Sequence, residues 1–447
     1  MKNTIKDIDV KGKKVLLRVD FNVPLDENGN ITDDNRIMES LSTINYLIEN
    51  GAKLIICSHL GRPKGQVNKK YTLAPVAKRL EQLVKCKVFF AEDTIGEDAK
   101  AKVKTLNEGE ILLLENLRFD EREEGNDPKF CKELASLADI YVNDAFGTAH
   151  RKHASTYGVA ELLPNAVGFL MGKEIKVINQ ILTEAKKPFV AILGGAKISD
   201  KIPVIENLLT KADTILIGGG MAYTFVKANG GNVGKSLVDN ELVDLAKEFI
   251  EKAKANNVDL VLPIDTMANT EFANKGNIKK FPTNQIPDNY EGLDIGPKTV
   301  KLFKKYIKKA QTIVWNGPLG VFEFENFANG TKKIAKAVGK TKAFSFIGGG
   351  DSASAVIKMG YAKRVSHIST GGGASLTMLE GKSLPGVDII DEQGATKKKA
   401  VKETTAKKAP TKKCAAKKPA EKKTAAAKKP AAKKTTTAKK TTKKEAK

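Results

Sequence analysis

Two glycine triplets are the residues in this sequence best suited to binding phosphate. Gly348-Gly349-Gly350 and Gly371-Gly372-Gly373 each follow a predicted strand and precede a predicted helix. Glycine lets backbone N–H groups approach a ligand closely, and a helix N-terminus adds about half a positive charge. Two such loops, with Asp351 beside the first and available to a cation, predict a polyphosphate site. The alternative is a pair of tight strand-to-helix turns without a ligand.

Two other nucleotide motifs match the sequence only in part. Gly348, Gly350 and Ala353 satisfy the G-x-G-x-x-A pattern of dinucleotide sites. That pattern also needs an acidic residue at the end of the next strand, which here ends in Ser369-Thr370-Gly371. The segment from 230 to 236 imitates a P-loop, but Asn229 stands where its first glycine is required. Neither motif is therefore predicted.

Arginine is concentrated towards the N-terminal end of the chain. Only 8 of the 76 basic residues are Arg, and seven of these lie at or before Arg151. A guanidinium is a planar, bidentate donor that suits carboxylate and phosphate. The loops beyond the predicted strands of this half supply Asp20, Asn22, Arg36, His59, Arg62, Arg118, His150 and Arg151. Ligands of open α/β sheets bind there, so the cluster predicts a site for a small phosphorylated acid. An RNA-binding face is the alternative, although the aromatic pattern of such faces is missing.

The second half of the chain offers further candidates for binding a nucleotide. Lys197 and Lys201 follow Gly194-Gly195 and, if helical, project from one face, although surface lysines are the alternative. A third glycine triplet occupies positions 218–220. Backbone from 317 to 321 could line an apolar base pocket while Glu323 accepts hydrogen bonds from ribose hydroxyls. A structural turn is the alternative for this last segment.

Short apolar runs alternate with helical segments, which favours parallel sheets with crossover helices. A helix is predicted from a cap at Asp33 or Asp34 to Glu49, with Arg36 in its first turn, and another from Leu170 to Leu182 between the two halves. Strands are predicted at 14–19, 53–57, 87–90, 111–114, 140–142, 189–193, 215–217, 260–264, 312–316 and 343–347. The sequence therefore predicts an α/β fold.

The net charge of +24 is unevenly distributed. Residues 395–447 contain 21 Lys against 3 Glu, so this segment carries +18 and residues 1–394 carry +6. The segment lacks aromatics, is predicted to be disordered and resembles linker-histone tails, so we expect it to bind nucleic acid or other polyanions without reading bases. A solvated tail without a partner is the alternative. The lack of a signal-peptide pattern, of a membrane-length apolar run and of redox or metal cysteine spacing predicts a cytoplasmic protein.

These stretches together resemble the phosphoglycerate kinase family. The resemblance covers nearly all of residues 1–394. The motifs that carry it, in family order, are R-V-D-F-N-V-P (18–24), S-H-L-G-R-P (58–63), L-L-E-N-L-R-F (113–119), N-D-A-F-G-T-A-H-R (143–151), L-G-G-A-K-I-S-D-K (193–201), W-N-G-P-L-G-V-F-E (315–323), G-G-G-D-S (348–352) and S-T-G-G-G-A (369–374). Ser352 stands where some members have Thr, and the basic tail departs from the family pattern.

The resemblance implies a monomeric, hinged glycolytic kinase that transfers a phosphoryl group reversibly between 1,3-bisphosphoglycerate and Mg-ADP, giving 3-phosphoglycerate and ATP. The implied substrate-binding residues are Asp20, Phe21, Asn22, Arg36, His59, Leu60, Gly61, Arg62, Arg118 and Arg151. The implied nucleotide-binding residues are Gly195, Ala196, Lys197, Lys201, Gly219, Gly292, Leu293, Pro318, Glu323, Gly349, Gly350, Asp351 and Ser352. Arg36, Lys197, Gly350 and Gly373 are the implied catalytic groups, and Asp351 is the implied Mg²⁺ ligand.

The resemblance also implies two doubly wound, Rossmann-like domains. The first spans 1–168 and binds phosphoglycerate, an interdomain helix spans 169–184, and the nucleotide-binding domain spans 185–383. Residues 384–394 are expected to return to the first domain, and 395–447 form the disordered tail. Two alternatives belong to other classes: a nucleic-acid-binding protein whose α/β body is a scaffold, and a nucleotide-dependent oxidoreductase, which the missing ribose carboxylate disfavours.

Overall fold

The computed structural model describes residues 2–394. The predicted disordered tail, 395–447, lies outside the described residues. The described chain contains two six-stranded sheets whose strands are all parallel, with helices between successive strands. This architecture confirms the predicted α/β class with two Rossmann-like domains. No helix in the described part of the chain is both long and apolar enough to cross a membrane.

The strands divide between two large sheets and two small ones. They are β1 (Lys14–Arg18), β2 (Lys53–Cys57), β3 (Val88–Phe90), β4 (Ile111–Leu113), β5 (Ile140–Asn143), β6 (Asn165–Val167), β7 (Phe189–Leu193), β8 (Thr214–Ile217), β9 (Asn232–Val233), β10 (Asp259–Val261), β11 (Asp265–Asn269), β12 (Lys279–Pro282), β13 (Gln285–Ile286), β14 (Glu291–Ile295), β15 (Thr312–Asn316), β16 (Phe344–Gly348) and β17 (His367–Ile368).

The α-helices cover the two large sheets and connect their strands. They are α1 (Asn35–Glu49), α2 (Ala74–Leu83), α3 (Glu97–Thr105), α4 (Pro128–Ala135), α5 (Val159–Leu162), α6 (Phe169–Glu184), α7 (Ile202–Leu208), α8 (Met221–Ala228), α9 (Val243–Ala255), α10 (Pro297–Lys309), α11 (Asn329–Val338), α12 (Gly350–Lys358), α13 (Gly373–Leu379) and α14 (Pro385–Asp388).

The first sheet has the strand order β3-β4-β2-β1-β5-β6. Its central strand β1 lies between β2 and β5, so the chain changes direction across the sheet at this point. Val15, Leu16 and Leu17 are fully buried because both faces of the sheet are covered. Arg18 pairs in register with Cys57 and Asn143, which brings the loops after β1, β2 and β5 to one edge. Such a switch point is where open α/β sheets bind ligands.

The second sheet has the order β10-β8-β7-β15-β16-β17 and reverses between β7 and β15. Asn316 pairs with Leu193 and with Gly348, so the loops after β7, β15 and β16 meet at one edge. The predicted buried strand at 260–264 is wrong in its extent. Strand β10 ends at Val261, and Ile264 is 51% exposed. Pro263 cannot donate a ladder hydrogen bond, which explains why pairing stops there.

The small sheets lie within the second half of the chain. One has the order β12-β11-β14, and the other pairs β13 with β9. Strand β14 carries Gly292 and Leu293, and an isolated bridge joins Asp294 to Gly320 in the loop after β15. This bridge holds β14 against the loop that the sequence predicts to line the base pocket.

Helix α6 connects β6 of the first sheet to β7 of the second. Its buried side chains recur every three or four residues, as on one face of an amphipathic helix; they are Leu170, Met171, Glu174, Ile178 and Ile181. At its start, the Asp144 carboxylate accepts a hydrogen bond from Met171 N at 2.9 Å. Burial raises the pKa of Asp144 to about 6. A side chain from the end of β5 therefore caps the first turn of this helix.

Residues 384–391 lie against the first sheet. The backbone N–H of Gly386 donates to Ala149 O at 2.9 Å, and Asn143 Nδ2 donates to Gly386 O at 3.2 Å. Asn3 N donates to Asp391 O at 2.8 Å. Both ends of the described chain thus contribute to the same half of the molecule.

Candidate active site

Hydrogen bonds between loops fix the first predicted cluster beyond β1, β2 and β4. Gly61 N donates to Asn22 Oδ1 at 2.8 Å, and Phe21 N donates to the Ser58 hydroxyl at 2.9 Å. Arg118 donates from its guanidinium to Gly61 O at 2.8 Å. Buried Asn116, at the end of β4, donates to Leu60 O at 2.7 Å. The structure therefore brings together Asp20, Phe21, Asn22, Arg36, His59, Leu60, Gly61 and Arg118.

Asp20 is the acidic group of this basic cluster. Its Oδ2 accepts from the Arg36 guanidinium, and its Oδ1 lies 4.0 Å from His59 Nδ1. Burial alone would raise the pKa of Asp20, but the charged form of His59, which exists only at low pH, and the guanidinium groups of Arg36 and Arg18 together lower it to about 2. The carboxylate is therefore ionised at neutral pH and holds Arg36 at the mouth of the cluster.

Arg18, which the sequence interpretation missed as a site residue, determines the tautomer of His59. Its side chain is 1% exposed, and its Nη2 lies 3.1 Å from His59 Nδ1. A guanidinium can only donate, so Nδ1 must accept and the imidazole proton must be on Nε2. Burial, together with Arg18, Arg118 and Arg36, lowers the pKa of His59 well below its usual value despite the opposing effect of Asp20. An arginine within the apolar run of β1 was the available sequence signal.

We expect His59 to stay neutral, with its proton on Nε2, between about pH 6 and pH 8. Since the native pKa lies below that of an unfolded histidine, near 6.5, the unfolded state takes up this proton first as the pH falls. This group therefore lowers the free energy of unfolding below about pH 6.5. Long-range ¹H–¹⁵N spectra of the imidazoles test the tautomer, with His59→Gln assigning the signal. A doubly protonated ring at neutral pH would contradict it.

Arg18 is itself held by a buried hydrogen-bond chain. Its Nε donates to Ser155 Oγ at 2.9 Å, and that hydroxyl donates to Glu123 Oε1 at 2.6 Å. Ser155 N also donates to Glu123 Oε2 at 3.0 Å. Burial raises the pKa of Glu123, although Arg18 opposes this shift. The carboxyl group of Glu123, a residue that is 1% exposed, thus compensates the charge of the buried Arg18 guanidinium.

The remaining arginines are distributed between the cluster and the surface. Arg62 is exposed beside Gly61, and half-buried Arg151 donates from Nε to His150 Nε2 at 3.1 Å. Arg79 instead pairs with Asp34 at 2.8 Å, and Arg122 pairs with Asp120 at 2.6 Å. Arginine enrichment therefore marks structural ion pairs as well as candidate ligands. Because Asp34 binds Arg79, it makes no cap bond to α1, and Asp33 accepts from Asn35 N instead.

Three loops of the second sheet pack backbone to backbone. Gly195 N donates to Pro318 O at 2.9 Å, and Gly219 N donates to Leu319 O at 3.2 Å. Gly219 has a φ of +65°, and a Cβ there would lie 2.6 Å from Gly195 O. Only glycine fits both the left-handed conformation and this close approach. Gly195, Gly219 and Pro318 are therefore neighbours, and exposed Ala196 continues the first of these loops.

Lys197 and Lys201 do not project from one helical face, so that prediction is wrong. Lys197 is exposed in the loop, Lys201 lies in a 3₁₀ turn, and α7 begins only at Ile202. Pro203 in the first turn suits a helix start at this point. Burial lowers the pKa of Lys201, while Asp200, Asp351 and Glu380 oppose the shift. Lys201 thus lies within electrostatic reach of Asp351.

The residues predicted to line a base pocket lie on β14 and in the loop after β15. Gly292 N donates to Ser236 Oγ at 2.9 Å, and Leu293 is buried. Val321 N donates to Leu293 O at 2.8 Å, which joins the two segments. Glu323 is exposed two residues further on. The paired segments at Leu293 and Val321 thus lie close in the chain to the solvent-accessible carboxylate of Glu323.

The first glycine triplet opens α12 directly beside Asn316. Gly349 has a φ of +88°, and Asp351 is exposed in the first helical turn. Ser352 is buried, and its Oγ accepts from Gly317 N at 2.6 Å. Asn316 is 1% exposed, yet its Nδ2 has no hydrogen-bond partner within residues 2–394. A Cβ on Gly349 would lie 2.9 Å from this nitrogen. Asn316 is therefore a further candidate ligand, which the sequence interpretation assigned only to the end of a predicted strand.

The second glycine triplet contacts the first cluster. A Cβ on Gly373 would lie 3.1 Å from His150 Nε2, and the Phe146 ring lies against Gly371. Both ring residues belong to the loop after β5, whereas Gly373 begins α13. The two predicted sites therefore face each other across this contact.

Glu174 of α6 anchors the second glycine loop and was also missed from sequence. It is fully buried and accepts from Thr370 N at 2.7 Å, Thr370 Oγ1 at 2.9 Å and His367 Nε2 at 2.8 Å. A carboxylate on the apolar face of a helix was the sequence signal for a buried polar contact. The helix between the sheets is thus bonded directly to the loop that contacts His150.

One protein-family model matches most of this chain. A family model described as phosphoglycerate kinase matches residues 5–382. The chain belongs to the phosphoglycerate kinase family. Membership makes it a phosphotransferase with a carboxyl group as acceptor, which excludes the oxidoreductase alternative and the scaffold alternative for the body.

Individual relatives agree with the family match. The chain is similar to the phosphoglycerate kinase of Clostridium tetani, 53% identical over 395 residues that cover 88% of this chain and 98% of that protein. The phosphoglycerate kinase of Thermosipho africanus is 54% identical over 402 residues, covering 89% and 99% respectively. The solved phosphoglycerate kinase structure from Coxiella burnetii superposes with a TM-score of 0.78 at 40% identity, covering 87% of this chain and 98% of that one.

Phosphoglycerate kinases use ATP and ADP, so the glycine loops should accommodate a metal–nucleotide complex. Residues 2–394 contain no group of three or more His, Cys, Asp or Glu side chains placed to hold a metal ion by themselves. Mg²⁺ bound with a nucleotide usually takes only one or two carboxylates, with substrate phosphates and water completing its shell. The exposed Asp351 beside the first glycine loop fits that requirement.

Proposed function

We propose that this phosphoglycerate kinase family member binds 3-phosphoglycerate on the first sheet and Mg-ATP on the second. It then transfers the terminal phosphoryl group reversibly, giving 1,3-bisphosphoglycerate and Mg-ADP. The observation that carries this proposal is the contact of the loop after β5 with Gly371 and Gly373. The edges of the two sheets at which we propose the substrates to bind meet at this contact. A reaction between two bound substrates requires such proximity.

The first cluster suits a small molecule with a carboxylate and a phosphate. We assign Arg36, Arg62, Arg118 and Arg151 to its negative charges, and Asn22 and the loop of His59, Leu60 and Gly61 to its shape. Asp20, which the buried Phe21 follows in the chain, positions Arg36 and can accept from the substrate hydroxyl. The neutral His59, protonated on Nε2, supplies a hydrogen-bond donor without adding a further cation.

The second site suits a nucleotide. We assign the base to Gly219, Gly292, Leu293 and Pro318, and the ribose hydroxyls to Glu323. The phosphates lie along Gly195, Ala196, Lys197, Lys201 and the turn from Gly349 to Ser352. Mg²⁺ bound by Asp351 would neutralise phosphate charge. Asn316 Nδ2, which lacks a protein partner within the described residues, can donate to the same phosphates.

The chemistry requires positioning and charge neutralisation. The acceptor carboxylate is already a nucleophile, so no general base is needed. Its oxygen attacks the terminal phosphorus while the bond from phosphorus to the ADP oxygen breaks. We assign Arg36, Lys197 and the N–H groups of Gly350 and Gly373 to offsetting the charge on the moving group. The proposed domains are 1–168 with 384–394, and 185–383, closing about helix 169–184 and expelling water.

The experiment that tests the assignment is ATP-dependent phosphorylation of 3-phosphoglycerate by the purified full chain, followed by formation of ADP. Product must depend on ATP, Mg²⁺ and 3-phosphoglycerate together. Titrations with each substrate separately then test whether the two sites bind independently. Failure to convert 3-phosphoglycerate, while other carboxylate acceptors are phosphorylated, would overturn the substrate assignment.

Asp351→Asn is expected to weaken Mg-nucleotide binding by about tenfold or more while leaving 3-phosphoglycerate binding unchanged. The amide keeps the side-chain size but removes the negative charge that attracts the cation. Calorimetric titration with each ligand measures both affinities. Because Asp351 is exposed, folding should be unaffected. Equal weakening for both ligands would contradict its placement at the nucleotide alone.

We further propose that the enzyme is a cytoplasmic monomer and that 395–447 bind polyanions through lysine charge. Deleting 395–447 is expected to leave kinase turnover largely unchanged and to remove most of the affinity for duplex DNA at low salt. Fluorescence anisotropy with labelled DNA and a turnover assay on the same preparations measure both effects. A large fall in turnover would mean that the tail supports the catalytic domains.

A further inference from the structure

One face of the second half of the body has an unusual charge. Helices α10 and α11 contact each other. Residues 297–309 and residues 329–342, which make up these helices and the turn after α11, contain no Asp or Glu. The lysine face comprises Lys298, Lys301, Lys304, Lys305, Lys308, Lys309, Lys332, Lys333, Lys336, Lys340 and Lys342. These 11 positive charges exceed the net charge of residues 1–394, which is +6, so the remainder of the body carries −5.

Six of these lysines surround a groove of about 580 Å³, hereafter the lysine groove. They are Lys304, Lys308, Lys309, Lys336, Lys340 and Lys342. The other lining residues include Ile307, Ala310 and Ala337, and none of the described residues that line the groove is acidic. Lysines in the last turn of a helix can offset its dipole, but that effect is confined to the final turn and does not account for lysines along the whole of α10.

The lysine groove lies at the opposite edge of the sheet from the glycine loops. Helix α10 ends at Lys309, just before β15 begins at Thr312, and α11 ends at Val338, before β16 begins at Phe344. Gly317 and Gly349 follow the other ends of these strands. A five-residue strand spans roughly 16 Å, so a ligand in the lysine groove does not touch the nucleotide site.

We propose that the lysine face, centred on the lysine groove, is a docking surface for the phosphate backbone of duplex nucleic acid. Helix α10 is roughly 20 Å long, and a duplex of that length carries on the order of ten phosphates. Residues 297–309 and 329–342 contain no arginine for bidentate base recognition, and Tyr306 is the only aromatic residue in these two segments that is not buried, so they suit neither base reading nor stacking of single strands.

Charge also excludes the chain's own tail as the occupant. Residues 395–447 carry +18 and would be repelled by the lysine face. Each of these two cationic segments can, however, bind a polyanion by releasing its counterions. The body and the tail thus present two separate cationic elements to one polyanion. This docking does not depend on the proposed kinase assignment.

The test compares two full-length variants with equal charge changes. The groove variant is Lys304→Gln, Lys308→Gln, Lys336→Gln and Lys340→Gln. The control variant is Lys78→Gln, Lys132→Gln, Lys247→Gln and Lys254→Gln, at exposed sites on α2, α4 and α9. Affinity for a labelled DNA duplex is measured against salt concentration, and kinase turnover reports folding because neither set touches the proposed active site.

The groove variant is expected to reduce the magnitude of the log–log salt slope by up to about 3.6 relative to the control, since each of four lost phosphate contacts removes about 0.9. Equal slopes in the two variants would overturn the proposal and leave the tail as the sole DNA-binding element. An independent measurement uses the unmodified chain: DNA should protect the groove lysines from an amine-reactive reagent more than Lys78 and Lys247. Equal labelling with and without DNA would also overturn it.

Discussion

Arg36→Lys is expected to lower kcat/KM by about 10²- to 10³-fold, the usual cost of removing one donor to a developing charge. Lysine keeps the charge but loses the planar fork that can bind Asp20 and the substrate at once. The side chain is 38% exposed, so the free energy of unfolding should change by less than about 1 kcal/mol. Steady-state kinetics and chemical denaturation measure the two quantities.

Arg79→Lys provides a matched control for this variant. Arg79 is also 38% exposed and also pairs with an aspartate, Asp34, but it lies outside the proposed site. The same substitution there should leave kcat/KM within about twofold of the unmodified enzyme. Similar losses in both variants would show that the effect of Arg36→Lys is structural, and near-normal turnover of that variant would remove Arg36 from the catalytic groups.

Gly219→Ala is expected to weaken nucleotide binding by at least about tenfold while 3-phosphoglycerate affinity stays the same. The left-handed conformation costs a non-glycine residue about 1 kcal/mol or more. In addition, the new Cβ would lie 2.6 Å from Gly195 O and 2.8 Å from Pro318 O. The loops that meet at the nucleotide edge must therefore separate. Isothermal titration with ADP and with 3-phosphoglycerate measures each affinity.

Gly230→Ala introduces the same kind of backbone strain without a steric clash, so it separates the two effects that Gly219→Ala combines. Gly230 has a φ of +80°, so alanine there is also strained, but no atom lies within 4 Å of the added Cβ. This control should lose stability without losing nucleotide affinity. Comparable loss of nucleotide binding in both variants would mean that the loops need no close packing at Gly219.

Periodicity and strand-end chemistry predicted most of the architecture. Ten strands of the two large sheets coincide or overlap with predicted positions, because buried parallel strands are short apolar runs followed by polar or glycine-rich loops, whereas β6 was not predicted. The predicted boundaries of two elements differ from the observed ones, in each case near a proline. Pro263 ends the ladder of β10, and Pro203 places the start of α7 after Lys201.

Buried polar residues could not be identified from sequence pattern alone. Arg18, Glu174 and Asn316 each occupy a position that reads as part of an apolar strand or helix face. Their roles depend on partners distant in sequence: Ser155 for Arg18, Thr370 for Glu174, and the Gly349 loop for Asn316. Only the three-dimensional packing shows which loops these groups connect.

The return of residues 384–391 to the first sheet imposes an order on synthesis. Gly386 pairs with Ala149, and Asp391 pairs with Asn3, yet more than 380 residues separate the last two along the chain. The ribosome makes the N-terminal half first, but that half cannot complete its own hydrogen bonds until the second half has emerged. Closing such a long loop is slow compared with local folding. The first sheet should therefore remain open to chaperones and proteases throughout translation, and reach its final stability only after the second.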